Sequence, residues 1–135
     1  MKLIAASFFT TVSWRQARAA LSFIYLWNWG KIKSGAAVAK LEDAFKTRFG
    51  VNYSQAFYNA RGALYHGLKA MGVGQGDEVI IQAYTCVSVA NAIIGLGAKP
   101  IYCDISLTDL NLDPDKLSPL VTPNTKAIIV QHNFG

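Results

Sequence analysis

Residues 59–104 read NARGALYHGLKAMGVGQGDEVIIQAYTCVSVANAIIGLGAKPIYCD, and the fold class turns on this stretch. From Gly62 to Met71 the apolar residues Leu64, Leu68 and Met71 recur at helical spacing, and Gly72 ends the run. After the turn Gly74-Gln75-Gly76-Asp77, the Val- and Ile-rich segment Glu78–Ala83 predicts a strand. Val87–Leu96 predicts a second helix closed by Gly97, and Lys99–Asp104 predicts another strand. Upstream, Gln55–Tyr58 predicts a short strand. Before it, Ser34 or Gly35 opens a helix carrying Val38, Leu41, Phe45 and Phe49, stopped by Gly50 as a left-handed cap. Downstream, Asp113-Pro114 combines an N-cap with a first-turn proline and predicts a helix to about Leu120; KAIIVQ, Lys126–Gln131, is the fourth strand. This alternation predicts an α/β fold, a three-layer α/β/α arrangement around a mainly parallel sheet. The segments VII (79–81) and AIIV (127–130) are apolar on both faces, as strands covered by helices on each side require. Only four residues follow the last predicted strand, so the expectation is a domain cut short.

A chain of 135 residues with 52% apolar and 16% charged residues has the composition of a single buried core rather than a disordered polymer. The net charge of +5 comes from the first third. There Lys2, Arg15, Arg18, Lys31, Lys33, Lys40, Lys46 and Arg48 face only Glu42 and Asp43. These cations are scattered over many turns and form no basic stripe on a recognisable module, which argues against nucleic acid as a partner. The longest uncharged apolar runs, Leu3–Trp14 and Ala19–Gly30, fall short of the roughly 20 residues that cross a bilayer as a helix. Lys2, the apolar stretch from Leu3 and Ala17-Arg18-Ala19 imitate a signal peptide, but Arg15 and Arg18 directly before the supposed cut speak against one. Cys86 and Cys103 lie in apolar runs without metal-type spacing, the pattern of a reduced, cytoplasmic protein.

The segment 14–29, WRQARAALSFIYLWNW, is apolar on nearly every helical face after Arg18. It reads as an arm that packs on a partner subunit or on further parts of its own chain. A membrane-surface anchor is the competing reading, weakened by the want of a clear polar face. The expected organisation is therefore an aromatic, basic arm over residues 1–33 and an incomplete α/β domain over 34–135.

Ligands of open parallel sheets bind beyond the carboxyl ends of the strands. Four clusters fall there: Asn59-Ala60-Arg61-Gly62, Tyr84-Thr85-Cys86, Asp104, and His132-Asn133. The first is a small-residue turn that offers backbone N–H groups, the positive end of a helix and the charge of Arg61 to an anion; the alternative is an ordinary strand-to-helix turn. Gly72-Val73-Gly74-Gln75-Gly76 is a plain turn. Its spacing is GxGxG rather than GxGxxG, and it follows a helix and precedes a strand, the reverse of a dinucleotide site. His66 falls within a helix and reads as a surface or packing residue, and no metal-ligand spacing or Ser-His-Asp grouping is visible.

The segments NARGALYHGLKAMGVGQGDEVI, YTCVSVANAIIGLGAKPIYCDI and LNLDPDKLSPLVTPNTKAIIVQHNFG, in this order and spacing, resemble the first half of the large domain of the DegT/DnrJ/StrS-type sugar aminotransferases. Ser34–Gly50 resembles the helix before it. The resemblance implies the aspartate aminotransferase (type I) fold, pyridoxal phosphate as cofactor, a homodimer, and transfer of an amino group from an amino acid, commonly glutamate, to a keto-sugar nucleotide. The family's phosphate turn, typically Ser-Gly-Thr-Ala, falls on Asn59, Ala60, Arg61 and Gly62, so the resemblance assigns the cofactor phosphate to the amides of Arg61 and Gly62. Arginine in place of threonine removes a hydroxyl and supplies a charge. The aromatic residue that stacks on the pyridine ring falls on Cys86, which puts a small polarisable sulfur there instead, and Tyr84 is two residues too early to replace it.

The Schiff-base lysine and the acidic partner of the pyridine nitrogen lie, in the family, beyond the last residue of this sequence. Lys99 and Lys126 sit at strand starts and Lys69 within a helix, so the polypeptide alone is expected not to transaminate. A dehydratase variant has the same first half. Two further readings compete: a non-catalytic α/β interaction protein that uses the aromatic arm to bind a partner or membrane surface, and a phosphate-binding α/β domain without pyridoxal chemistry.

Overall fold

A computed structural model describes residues 13–25 and 35–132. The chain divides into two compact units, one through Gln55 and the other from Ala56 onward.

The first unit contains α1 (Trp14–Tyr25) and α2 (Ala36–Phe49). A reciprocal cap starts α1: Ser13 N–H donates to Gln16 Oε1 at 2.7 Å, and Gln16 N–H returns a bond to Ser13 Oγ. Trp27 and Trp29 lie outside the described residues. In α2 the expected stripe is present, and the Phe45 and Phe49 rings lie 5.4 Å apart, yet none of its residues is buried. Gly50 ends the helix at φ 63°, donating its N–H to Lys46 O as a left-handed cap does.

The second unit holds α3 (Ala60–Ala70), β1 (Glu78–Gln82), α4 (Val87–Ile94), β2 (Lys99–Cys103), α5 (Pro114–Leu117) with a 3-10 turn at Ser118–Leu120, and β3 (Thr125–Ile129). The three strands are parallel in the order β2-β1-β3, so β1 is central. Gln55–Tyr58, expected as a strand, is irregular, so the described residues contain three strands rather than four. A strand exists through its neighbours, and this segment joins the ladder of neither edge strand; Phe57 stacks on His66 of α3 instead, at 5.4 Å. Met71 also departs from expectation. It follows the end of α3 and is 60% exposed, so Leu64 and Leu68 alone carry that helix's inward stripe.

Each face of the sheet has its own cover. Leu68 of α3 and Val89, Ala90 and Ile93 of α4 pack on Val79 and Ile81 of β1, with Leu64, Ala127 and Ile129 at the margin. The opposite face buries Ile80, Cys103 and Leu112 against Leu117 and Leu120. The expected three layers are therefore present. From β1 the chain crosses one face through α4 to reach β2. It then crosses the other face through α5 to β3 on the far side of β1. This change of direction makes the carboxyl end of β1 a switch point, where loops diverge and a crevice opens.

Candidate functional site

Asn59 fixes one wall of that crevice. In extended conformation it caps α3, its Oδ1 accepting from Gly62 N–H at 2.7 Å and its carbonyl from Ala63 N–H at 3.1 Å. Because α3 begins at Ala60, the amides of Ala60 and Arg61 have no carbonyl one turn back within the helix, and the positive end of the peptide dipoles lies there. The second wall is the start of α4, where Cys86 stands at the N-cap in extended conformation. The end of β3 closes the third side.

The cleft between these walls has a volume of about 700 Å³. Asn59, Ala60, Arg61 and Leu64 line it from α3, Cys86, Ser88 and Val89 from α4, and Ile129 and Gln131 from β3. Arg61 Nη2 donates to Ser88 Oγ at 3.1 Å, and Cys86 Sγ lies 3.4 Å from the same oxygen. Hydrogen bonding from the Ser88 hydroxyl and then its backbone N–H holds the exposed Cys86 thiol below its ordinary pKa, and the Arg61 charge adds to the effect. Thr85 Oγ1 donates to Gln131 Oε1 at 2.5 Å, tying the β1–α4 loop to the end of β3. The cleft thus brings together the Arg61 guanidinium, the apolar side chains of Leu64, Val89 and Ile129, and the Gln131 amide.

Of the three residues expected at a cofactor, Arg61 and Cys86 line the cleft, while the Gly62 amide is already engaged by Asn59. Asp104 belongs elsewhere: its carboxylate takes the Ile105 N–H and lies 3.3 Å from Lys116 Nζ, contacts that hold it below the ordinary carboxylate range. Tyr84 and His132 are exposed and do not line the cleft, and Asn133 lies outside the described residues. His66, expected as a surface or packing residue, is exposed on α3 and stacks on Phe57, and the turn at 72–76 is closed by Gly74 N–H bonding Asp77 Oδ2. Sequence reading missed Ser88 and Gln131. Ser88 could have been found as a hydroxyl in the first turn of the helix that follows β1. Gln131 was hidden because the predicted strand ran to it, whereas β3 ends at Ile129.

A parallel sheet covered by helices on both faces, with a cleft at its switch point, defines the class of this protein: a three-layer α/β domain. Residues 17–135 match the DegT/DnrJ/EryC1/StrS aminotransferase family, and the chain belongs to that family. It is 42% identical over 106 residues to the spore coat polysaccharide biosynthesis protein SpsC of Bacillus subtilis (strain 168), covering 78% of this chain and 27% of the relative. It is 41% identical over 101 residues to the GDP-perosamine synthase of Caulobacter vibrioides, covering 75% of this chain and again 27% of the relative. The chain therefore spans little more than a quarter of the length of these curated relatives. Among crystal structures, ntda from Bacillus subtilis with bound cofactor PMP superposes with a TM-score of 0.81 at 31% identity, over 92% of this chain and 29% of that one. The PLP form of the sugar aminotransferase Spr1654 from Streptococcus pneumoniae gives 0.67 at 30% identity, over 70% of this chain and 24% of that one.

Proposed function

We propose that this chain is the N-terminal, phosphate-anchoring portion of a pyridoxal-phosphate-dependent aminotransferase. The enzyme moves an amino group from an amino acid to a keto-sugar nucleotide in the synthesis of cell-surface polysaccharide or secondary-metabolite sugars. In this reading residues 34–135 are part of the large domain, residues 1–33 are an arm, and the working enzyme is a cytoplasmic homodimer. The observation that carries it is the cleft: Arg61, the first turn of α3 and the apolar side chains of Leu64, Val89 and Ile129 line it together, which supports reading it as the receptor for a phosphate-bearing ring. The names of relatives that act in polysaccharide biosynthesis or make GDP-perosamine support the sugar class.

Pyridoxal phosphate supplies an electron sink for carbanion chemistry when bound, and the protein supplies binding and orientation. Here the charge of Arg61 and the α3 amides would hold the phosphate end, Leu64, Val89 and Ile129 would exclude water from the ring, and Cys86 would offer the ring its sulfur. No lysine is among the lining residues, so their work is to bind and orient. Among the described residues no helix is long and apolar enough to cross a membrane.

The test is an absorbance titration of the 135-residue chain with pyridoxal phosphate, with inorganic phosphate as competitor. Reversible, weak binding that phosphate displaces is expected, and Arg61→Ala weakens it by roughly tenfold or more, the worth of a charge-assisted hydrogen bond. Binding that ignores both phosphate and the loss of Arg61 sinks the proposal.

A further inference from the structure

Gln131 is the polar residue of the cleft farthest in kind from an anion site, and the structure restricts what it can offer. A glutamine amide has one carbonyl and one NH₂ group. The carbonyl oxygen of Gln131 is taken by the Thr85 hydroxyl, while no partner for Nε2 is present among the described residues. The side chain is half-buried and lines the cleft beside Ile129. β3 leaves the ladder after Ile129, so Gln131 is released from pairing with β1 and stands at the rim where ligands of parallel sheets bind. Thr85 belongs to the β1–α4 loop that leads through Cys86 into α4, whose first turn carries Ser88. The hydroxyl that holds the amide thus comes from the wall opposite β3.

We propose that Gln131, held by Thr85, orients the ligand by donating from its amide nitrogen to an oxygen acceptor on a ring whose phosphate is anchored at Arg61. The inference rests on the reading of the cleft as a pyridoxal-phosphate receptor and adds a second polar contact to it, from β3 rather than α3. In this reading inorganic phosphate engages Arg61 alone, and a phosphate-bearing ring engages Arg61 and Gln131 together. Gln131 is therefore a determinant of the preference for the ring compound over the bare anion, and Thr85 is a positioning residue that acts through it.

The experiment measures the dissociation constants of pyridoxal phosphate and of inorganic phosphate for the 135-residue chain and for the variants Gln131→Met, Thr85→Val and the double variant. Circular dichroism and thermal midpoints confirm that each variant is folded. Methionine keeps the length of the side chain and removes the amide. Gln131→Met is expected to weaken pyridoxal phosphate binding about three- to tenfold, one net hydrogen bond, and to leave inorganic phosphate binding unchanged. Thr85→Val is expected to produce part of that loss alone and no further loss in the Gln131→Met background. Unchanged pyridoxal phosphate affinity in a folded Gln131→Met overturns this inference while leaving the functional reading intact. An equal loss for both ligands also overturns it, since that is the mark of a general structural effect. Failure of the unaltered chain to bind pyridoxal phosphate overturns the functional reading and this inference together.

Discussion

On one face of the sheet α3 and α4 bury Leu68, Val79, Ile81, Ala90 and Ile93 in a single cluster, whereas on the other the short α5 and its 3-10 turn cover Ile80, Cys103 and Leu112. Register places Ile128 beside Ile80 on this second face, and there it is 42% exposed. The difference follows from helix length. α3 and α4 have 11 and 8 residues and lay apolar stripes along the strands, while α5 has four and reaches only part of the face. The cleft belongs to the better-packed side, where Leu64 and Val89 serve both the core and the site. A binding wall that shares residues with a dense core is held by it, which is what positions Arg61 and Ser88 within reach of each other.

The largest effect expected from this inequality is on stability. Ile93 is fully buried and touches the core built from α3, α4 and β1; Ile93→Ala is expected to cost about 3–4 kcal/mol, the transfer loss plus a cavity that close packing cannot refill. Leu112 is 9% exposed on the other face, in a loop cluster that can relax, and Leu112→Ala is expected at the lower end of the range, about 2 kcal/mol. Urea unfolding of the two variants measures both. Equal losses break the comparison.

The packing of the two faces was largely legible in the sequence, and the site was legible in part. Every helix of the second unit was signalled by apolar spacing or by a cap, because Leu64/Leu68, Val89/Ile93 and Asp113-Pro114 are local signals that tertiary contacts reinforce. Asp113 does accept from the N–H of Asp115. The carboxyl-end rule located Cys86, whereas Asn59–Gly62 was nominated from the end of a Gln55–Tyr58 strand that does not form, so what found it was its small-residue turn at a helix start. The rule equally nominated Asp104, His132 and Tyr84, which the cleft does not use, because strand ends alone do not say toward which face a loop turns. That depends on the crossovers, α4 over one face and α5 over the other, and Asp104 follows its crossover to Lys116. The Gln55–Tyr58 strand failed for a related reason: β-type residues become a strand only with a neighbour to pair with.

The two cysteines carry the same comparison into chemistry. Cys86 is exposed at the cleft, and hydrogen bonding from Ser88, with Arg61 nearby, pulls its thiol pKa down. Cys103 is buried on the other face, where desolvation first and the charges of Asp113 and Asp104 next push its thiol up. The thiolate is the species that alkylates. In the native chain iodoacetamide is therefore expected to label Cys86 and spare Cys103, and the rate at Cys86 reaches its plateau at lower pH than for an ordinary thiol. Ser88→Ala removes the largest stabiliser of the thiolate, so it moves the midpoint of that profile up in pH, and Arg61→Ala moves it up by less. Mass spectrometry of the labelled peptides across pH reads both sites at once. Comparable labelling of Cys103 under native conditions means that the α5 face opens far more readily than its burial indicates.

The smallest expected effect sharpens the comparison most. Gln82, at the carboxyl end of β1, alternates onto the α5 face with Ile80 and is fully buried. Its Nε2 donates to Tyr84 O at 2.9 Å, but its Oε1 has no partner among the described residues. A buried, half-satisfied amide contributes one hydrogen bond and suffers one desolvated acceptor, terms of opposite sign and similar size, about 1 kcal/mol each. Gln82→Met keeps the length of the side chain and removes both. The Tyr84 side chain is half exposed in the loop beyond β1, so water is at hand for the carbonyl that loses its donor. The change in stability is therefore expected to lie within about 1 kcal/mol of zero in urea unfolding, in contrast to the severalfold larger loss at Ile93. A loss of about 3 kcal/mol or more instead shows that Gln82 Oε1 is satisfied in solution and that the α5 face is as closely built as the α3–α4 face.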